Sequence, residues 1–387
     1  MSLFDPDAPF TATNATEATD AEPERRRPSR RTRWGIGALA VALAGLAALT
    51  FLPTGYVIEN PGPVFNTLGE VKNAQGDTVP LISVDGAPTY PSTGTLDLLT
   101  VTVTGNPDRT PSWFDLVQAW FDPSRAVVPM SQVYPSGTTT EERNEENAQL
   151  MTNSQQDATA AALSHLGYDI DARLSVYSLP ENSPATGVLE KDDIIRTADG
   201  VAVPYISQLR AQVQKSAGKP MTLGIERGGQ AMTVEATPTF AEKGGDDGNG
   251  AWQIGVSILP QYTFPVRVQI QLDNVGGPSA GQMFALGIID TLTEGDLTGG
   301  TKIAGTGTID GEGNVGAIGG IRQKLYGARD AGATDFLAPA SNCDEVVGHV
   351  PSGIRVFSVS TLDDSLKVLE TIRDGGDLDA LPTCTAG

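Results

Sequence analysis

Residues 274–290 read NVGGPSAGQMFALGIID and place one serine, Ser279, between a glycine-rich turn and an apolar run. Gly276 and Gly277 permit backbone conformations that other residues avoid, and Pro278 suits the first position of a helix. The stretch therefore predicts a strand, a tight turn and a helix, with Ser279 in the first turn of that helix. A serine there is most often a cap, although the amide N–H groups of a helix N-terminus can also stabilise the oxyanion of acyl transfer.

A serine hydroxyl becomes a nucleophile only when a base lies beside it. The two histidines, His165 and His349, are poor candidates for a base or a metal site, because neither has another potential ligand nearby in sequence. Lys324 follows Ser279 by 45 positions and borders the apolar face of a predicted helix over 321–331. A lysine turned towards an apolar interior loses solvation of its ammonium form, so its pKa falls and it can act as a base. Taken alone, such a lysine is more often a solvated helix residue.

Two motifs taken together change this interpretation: GGPSAG around Ser279, and TGTIDGEGNVGAIGGIRQKL over 306–325. Over roughly 260–375 they closely resemble the proteolytic domain of Lon peptidases. The resemblance implies that Ser279 is the nucleophile and Lys324 the general base, with Thr306 orienting the lysine amine by a hydrogen bond. It further implies a serine-type endopeptidase with a Lon-type α/β proteolytic domain, which we place at 252–380. By analogy with ring-forming relatives, it also suggests a homo-oligomer.

Two features depart from the ATP-dependent Lon enzymes. Those enzymes have an acidic residue where this chain has Gly276, and here the motif is similar to that of membrane-anchored, PDZ-bearing Lon-like proteases of bacteria. The chain also contains no phosphate-binding G-x-x-x-x-G-K-[ST] loop, since its only Gly-Lys pair, at 218–219, is followed by Pro220. We therefore predict an ATP-independent protease. The alternative is an inactive, protease-like adaptor that only binds peptides.

Residues 168–240 resemble a PDZ domain. The run S-P-A-x-G-x-L begins at Ser183 and is followed by Asp193 and by the pair Asp199–Gly200. Predicted strands and one helix flank this run. The resemblance implies that an extended peptide is added to an exposed sheet edge, and VYSLPE over 176–181 lies where that edge is expected. The alternative is a domain that only packs against its neighbour. An acidic linker is predicted over 241–251.

The N-terminal part predicts a membrane anchor. Residues 1–33 read as a disordered cytoplasmic tail that ends in six arginines, and residues 34–53 form an uncharged apolar run of about the length that crosses a bilayer. Because the basic residues flank only the N-terminal side, the rest of the chain is expected outside the cytoplasm, in a single-pass cell-membrane protein. A cleaved secretory signal is the alternative.

The remaining features complete an α+β prediction: a transmembrane helix, a membrane-proximal β-rich and helical region over 54–167, the PDZ-like domain and the protease domain. Within 54–167, residues 139–166 predict a long surface helix or a helix pair. The formal net charge of −21 argues against nucleic-acid binding. No cofactor and no metal are expected. Cys343 and Cys384 are either two buried thiols or a disulfide that fixes the C-terminal tail.

Overall fold

The computed structural model describes residues 29–135, 139–242, 250–273 and 275–385. Two compact units are separated by their internal contacts, Met1–Leu52 and Pro53–Gly387. Residues 1–28 of the predicted tail and residues 243–249 of the predicted linker lie outside the described residues.

The helices are α1 (Arg30–Phe51), α2 (Trp113–Trp120), α3 (Met130–Val133), α4 (Thr140–His165), α5 (Ile206–Ser216), α6 (Gly281–Leu292), α7 (Ile321–Asp330), α8 (Cys343–Val346) and α9 (Leu362–Arg373). The strands are β1 (Tyr56–Asn66), β2 (Glu70–Lys72), β3 (Thr78–Pro80), β4 (Ile82–Asp85), β5 (Thr95–Thr104), β6 (Ala126–Pro129), β7 (Asp171–Ser178), β8 (Ile194–Ala198), β9 (Val201–Ala202), β10 (Met221–Arg227), β11 (Gln230–Ala236), β12 (Thr239–Ala241), β13 (Ala251–Gln253), β14 (Ser257–Thr263), β15 (Arg267–Ile270), β16 (Lys302–Gly305), β17 (Thr308–Ile309), β18 (Val315–Gly316), β19 (Asp335–Pro339) and β20 (Arg355–Val359).

The first unit contains α1, which begins inside the arginine run. Three arginines fall within its first four residues, and nine of its 22 residues are Gly or Ala, which limits its apolar surface. Across 29–135, 139–242, 250–273 and 275–385, no helix has both the length and the apolar character that crossing a membrane requires. The prediction of a transmembrane helix over 34–53 is therefore wrong, and so is the fold class in that element. The predicted membrane anchor and the single-pass, extracytoplasmic location depended on that span and are wrong with it.

The second unit is a mixed α/β structure built on a six-stranded sheet with the order β20-β19-β16-β5-β1-β6. The four strands from β20 to β5 are parallel. The strand β1 is antiparallel to β5, and β6 is antiparallel to β1 and so runs in the same direction as the four. The strands β1, β5 and β6 come from the predicted 54–167 region, whereas β16, β19 and β20 come from the predicted protease region. These two regions therefore share one sheet. The chain between them, together with β14 from the start of the predicted protease region, forms the PDZ-like part.

The PDZ-like part is an antiparallel sheet with the order β11-β10-β8-β7-β14, in which β9 also pairs with β8. Its core includes Leu174 and Ile195 of the sheet and Leu209 and Val213 of α5. The strand β7, which contains much of VYSLPE, lies inside the sheet between β8 and β14, so it cannot be the peptide-binding edge. The edge strand on that side is β14, which follows the predicted linker in sequence.

The helix α4 connects the shared sheet to the PDZ-like part. It is a single helix of 26 residues that begins at a capping box between Thr139 and Glu142. Its residues from Ala158 to Leu163 are buried against the core that contains α6. The prediction of a surface helix was wrong in this respect, because the apolar stretch near its end packs inward.

The open question about the cysteines is answered by a disulfide between Cys343 and Cys384. The bond joins the start of α8 to the C-terminal tail, 41 residues further along the chain. The same tail pairs with β20 through a bridge between Phe357 and Thr383. The tail is therefore fixed to the large sheet at two neighbouring points.

Candidate active site

Ser279 lies in the turn that precedes α6, not within the helix. The helix begins at Gly281, with Ala280 as its N-cap residue. The predicted start of the helix, at Ser279, was therefore two residues too early. Gly277 has φ +87°, a conformation that a residue with a side chain rarely adopts. All of α6 from Gly281 to Asp290 is buried, which anchors the turn to the core.

Lys324 lies on α7, which starts after Gly320 at φ +69°. Its side chain is only 2% exposed. Apolar side chains surround this part of the helix: Leu99, Ala304, Ile321, Leu325, Ala328 and Phe336. The sequence placed Lys324 at the border of an apolar face, and the structure buries it.

The three predicted site residues meet at the lysine amine. Lys324 Nζ lies 2.8 Å from Ser279 Oγ and 2.9 Å from Thr306 Oγ1. The Thr306 hydroxyl donates to the backbone carbonyl of Ser279 at 2.9 Å, so its oxygen is left to accept from the amine. The Gly307 N–H donates to the same carbonyl at 3.0 Å. Thr306 and Gly307 therefore fix both the amine and the backbone of the serine.

The electrostatics of the site favour a neutral amine. Burial lowers the pKa of Lys324 to about 7, because the ammonium ion loses its hydration, and the negative charge of Glu59 opposes this shift. The pKa of Glu59 on β1 is in turn raised by burial and by Glu345. A lysine with a pKa near 7 is present in both protonation states at neutral pH, as a general base requires.

A groove of about 540 Å³ lies beside the Ser279 hydroxyl. Much of its lining is apolar and comes from β1, β5 and α4: Pro63, Phe65, Leu98, Leu99, Leu150 and Met151. These residues all precede the PDZ-like part in sequence. The groove therefore depends on a region well outside the GGPSAG and lysine motifs.

Gly276, the departure noted in the sequence, also lines this groove. A Cβ atom at this position would lie 2.6 Å from Cβ of Asn147 on α4, closer than real contacts allow. An acidic side chain at 276 is therefore excluded by the approach of α4. The departure therefore has a steric reason.

Three groups at the site were not found from the sequence: Asn147, Ser154 and Glu59. The Gly277 N–H donates to the Asn147 carbonyl at 2.9 Å, and the Ser154 hydroxyl donates to the Pro278 carbonyl at 2.9 Å. No local motif marks them, because each contact joins segments more than 100 residues apart. The one available signal was the helical repeat that puts Asn147 and Ser154 on the same face.

A second groove, of about 860 Å³, lies in the PDZ-like part between α5 and the segment that leads from β13 into the edge strand β14. The residues of α5 that line it are Ile206, Leu209, Arg210, Val213 and Gln214. The opposite wall is formed by residues 250–258. Gln214 fixes the two walls together, since its side chain donates to the Trp252 carbonyl at 2.8 Å and accepts from the Trp252 N–H at 3.0 Å.

Comparison with known proteins matches residues 273–371 to the family described as Lon protease (S16) C-terminal proteolytic domain. This part of the chain is similar to the Lon-type proteolytic domain. Lon protease 1 of Sorangium cellulosum is 38% identical over 93 residues, which are 23% of this chain and 11% of that protein. Lon protease of Azospirillum brasilense is 36% identical over 188 residues, 47% of this chain and 22% of that protein.

The chain thus spans between about a tenth and a quarter of the length of these Lon relatives. Their matches confirm the prediction of a serine-type peptidase of the Lon type. Among solved structures, the PDZ domains of SdrC-like proteins from Listeria monocytogenes and Listeria innocua are each 20% identical, with a TM-score of 0.19. Each covers 22% of this chain, and the matched region is 85% and 92% of the respective domain.

Proposed function

We propose that this chain is an ATP-independent serine endopeptidase in which Ser279 is the nucleophile and Lys324 the general base, with the α5–β14 groove recruiting peptide substrates. The observation that carries the proposal is the 2.8 Å separation between Lys324 Nζ and Ser279 Oγ at a nearly fully buried amine. A lysine that served only as a surface charge would not be desolvated in this way.

The acylation step follows from this contact. Ser279 Oγ attacks the scissile carbonyl carbon while the neutral amine of Lys324 accepts the hydroxyl proton. The resulting oxyanion lies near the N-terminal end of α6, where amide groups and the helix dipole favour negative charge. When the C–N bond breaks, the ammonium of Lys324 returns a proton to the leaving amine, and an acyl-Ser279 ester remains.

Deacylation repeats the proton transfers with water. Lys324 takes a proton from a water molecule that attacks the ester carbonyl, and then returns it to Ser279 Oγ as the new carboxyl product leaves. Thr306 takes no proton in either step. By accepting a hydrogen bond from the amine, it keeps the nitrogen lone pair directed at Ser279 Oγ rather than along the Thr306 contact.

Independence from ATP is proposed because the 387 residues contain no phosphate-binding loop. Without an unfolding motor, the substrate must already be extended, either as a loose terminus or as an unfolded segment. The α5–β14 groove suits this requirement, since an extended peptide can pair with β14 as an added strand. We therefore expect equal cleavage of an unfolded substrate with and without ATP and Mg²⁺.

The dyad is tested with Ser279→Ala and Lys324→Met, and with Lys367→Met as the matched control. Lys367 is exposed on α9 and does not line the groove beside Ser279, so the control removes an ammonium group outside the site. We expect both dyad variants to reduce cleavage of a fluorogenic peptide by at least about 10³-fold, since a serine without its base is a weak nucleophile. The control should retain wild-type kcat. Normal turnover by either dyad variant would refute the mechanism.

A fluorophosphonate probe separates the peptidase from an inactive adaptor. Labelling of wild-type protein that is lost in Ser279→Ala, with mass spectrometry placing the adduct on residue 279, supports an activated serine. Absence of labelling together with binding of peptides would instead favour the adaptor.

A further inference from the structure

Residues 275–280, the turn that carries the proposed nucleophile Ser279, are called the nucleophile turn below. The helix α4 contacts this turn at two points on one of its faces. The Asn147 carbonyl accepts from the Gly277 N–H, and seven residues later the Ser154 hydroxyl donates to the Pro278 carbonyl, each at 2.9 Å. Positions separated by seven residues are two turns apart and share a face. The two contacts fall on Gly277 and Pro278, immediately before Ser279. The helix α4 therefore fixes the position of the backbone that leads into Ser279.

Ser154 also occupies a tight position against α6. It is buried, and a Cβ atom added at Gly281 would lie only 2.8 Å from its Oγ. On the other side, the same added atom would lie 2.9 Å from a methyl group of Ile309, in the strand that follows Thr306. The start of α6 is therefore confined between α4 and β17, and Ser154 provides the polar contact on the α4 side.

A hydrogen bond between side chains also connects α4 to the PDZ-like part. The Tyr262 hydroxyl on β14 donates to Asp157 Oδ1 at 2.7 Å, three residues beyond Ser154. Burial raises the pKa of the Asp157 carboxyl to about 6 and that of the Tyr262 hydroxyl above its usual range. A partly buried hydrogen bond of this kind restrains both partners, because breaking it would leave a desolvated polar group. It limits the movement of α4 relative to the strand that borders the peptide groove.

We propose that Ser154 is a positioning residue for the reaction: by fixing the Pro278 carbonyl to α4, it holds the Ser279 hydroxyl at hydrogen-bonding distance from the Lys324 amine. This inference rests on the proposed peptidase function. It assigns a role to a residue outside the matched proteolytic domain, 125 positions before the serine that it serves. Ser154 does not touch the reacting atoms, so its effect passes entirely through the nucleophile turn.

The test uses Ser154→Ala, with Thr152→Ala as the matched control. Thr152 lies on the same helix, is exposed, and makes a hydroxyl contact only to the Ala148 carbonyl of its own helix. We expect Ser154→Ala to lower kcat about 10- to 100-fold, the usual effect of misplacing a reacting group by about 1 Å. The KM should change less than about twofold, because the groove is intact. The acid limb of the pH–rate profile should keep its midpoint, because the surroundings of the amine are unchanged.

Two further measurements separate positioning from loss of folded protein. Titration of active sites with the fluorophosphonate normalises kcat to the labelled fraction. Hydrogen–deuterium exchange of a peptide covering residues 275–281 should accelerate in Ser154→Ala but not in Thr152→Ala, since the Gly277 amide loses its fixed position beside α4. If kcat and exchange in Ser154→Ala both equal those of Thr152→Ala, the positioning role is refuted.

Failure of the peptidase function gives a different pattern. Wild type and Thr152→Ala would then both be inactive towards peptides and towards the fluorophosphonate. Exchange over 275–281 would still decide whether Ser154 holds the turn: acceleration in Ser154→Ala supports the structural link, and unchanged exchange overturns it.

Discussion

At the scale of single residues, the site depends on the balance between two opposite effects on Lys324. Desolvation favours the neutral amine, whereas the carboxylate of Glu59 favours the ammonium form, and desolvation is the larger effect. With too little burial, the pKa of the amine would stay high and the amine would remain protonated. With too much burial, the pKa would be so low that the amine would be a poor acceptor for the proton of Ser279. The pKa of about 7 lies between these limits.

This balance predicts the pH dependence of cleavage. Only the neutral amine can accept the serine proton, so kcat/KM should fall as the pH drops through about 7, the pKa of Lys324. Replacing Glu59 with Gln removes the charge that favours the ammonium form. The pKa of Lys324 then falls further, and the acid limb should move to lower pH.

The measurement is kcat/KM between about pH 5 and 9 for wild type, Glu59→Gln and the control Glu70→Gln, whose carboxylate is exposed on β2. Wild type and the control should share one midpoint. An acid limb near the usual carboxyl pKa of about 4, unmoved in Glu59→Gln, would indicate that a carboxylate and not Lys324 is the base.

At the scale of elements, the close contact between α4 and the nucleophile turn accounts for the glycine at 276. A methyl group there would overlap Cβ of Asn147, so Gly276→Ala should displace the turn or the helix. We expect kcat to fall about tenfold or more and the free energy of unfolding to decrease by about 1–3 kcal/mol, as overpacking usually costs.

Gly319 supplies the matched control, because it lines the same groove and has nothing within 4 Å of an added Cβ. Gly319→Ala should keep kcat within about threefold of wild type and change the unfolding free energy by less than about 0.5 kcal/mol. Kinetics and chemical denaturation of both variants check this. Equal behaviour of the two alanine variants would show that the contact with α4 imposes no constraint.

The sequence could point to the residues of the candidate site but not to the framework that surrounds them. Ser279, Thr306 and Lys324 stand in compact motifs, so the resemblance found them, and their convergence follows from the parallel sheet and the two helices. The part played by α4 was missed because the contact between Asn147 and Gly277 joins residues that the PDZ-like part separates. Hydrophobic periodicity indicates that a helix has a buried face, but it does not indicate which segment covers that face.

The predicted position of the edge strand was wrong for a similar reason. Alternation of apolar residues predicts a strand at VYSLPE, and that strand exists as β7, but the order of strands in a sheet is a long-range property. The strand that covers β7 is β14, which lies about 80 residues further along the chain, beyond the predicted linker. The predicted transmembrane helix failed on different grounds, since it was read from composition alone.

At the scale of the whole chain from Pro53 onwards, the PDZ-like part is an insertion between α4 and β15 of the shared α/β structure. Both connections therefore start or end beside elements of the candidate active site. The hairpin β17–β18 provides another link: Glu312 in its turn accepts from Gln208 Nε2 at 2.7 Å and from the Ser207 hydroxyl at the start of α5. A peptide bound between α5 and β14, as proposed above, would therefore contact elements that are linked to the candidate active site.

This arrangement predicts that the peptide groove affects substrate capture more than chemistry. The side chain of Ile206 lines the groove at the first position of α5, whereas Ala211 is exposed on the same helix and does not line it. Ile206→Glu places a carboxylate among the residues that line the groove. A carboxylate there is expected to repel the C-terminal carboxylate of a peptide bound in the groove. For an unfolded substrate with a free C-terminus, we expect KM to rise about tenfold with kcat within about twofold. Ala211→Glu, which adds the same charge elsewhere on the helix, should leave both constants unchanged.

A short fluorogenic peptide that reaches only the Ser279 groove should be cleaved equally by all three proteins, which excludes damage to the dyad. The same long substrate with an amidated C-terminus should show the raised KM even with wild-type protein. If the amidated and free forms have the same KM, and Ile206→Glu resembles Ala211→Glu, substrate does not enter through this groove.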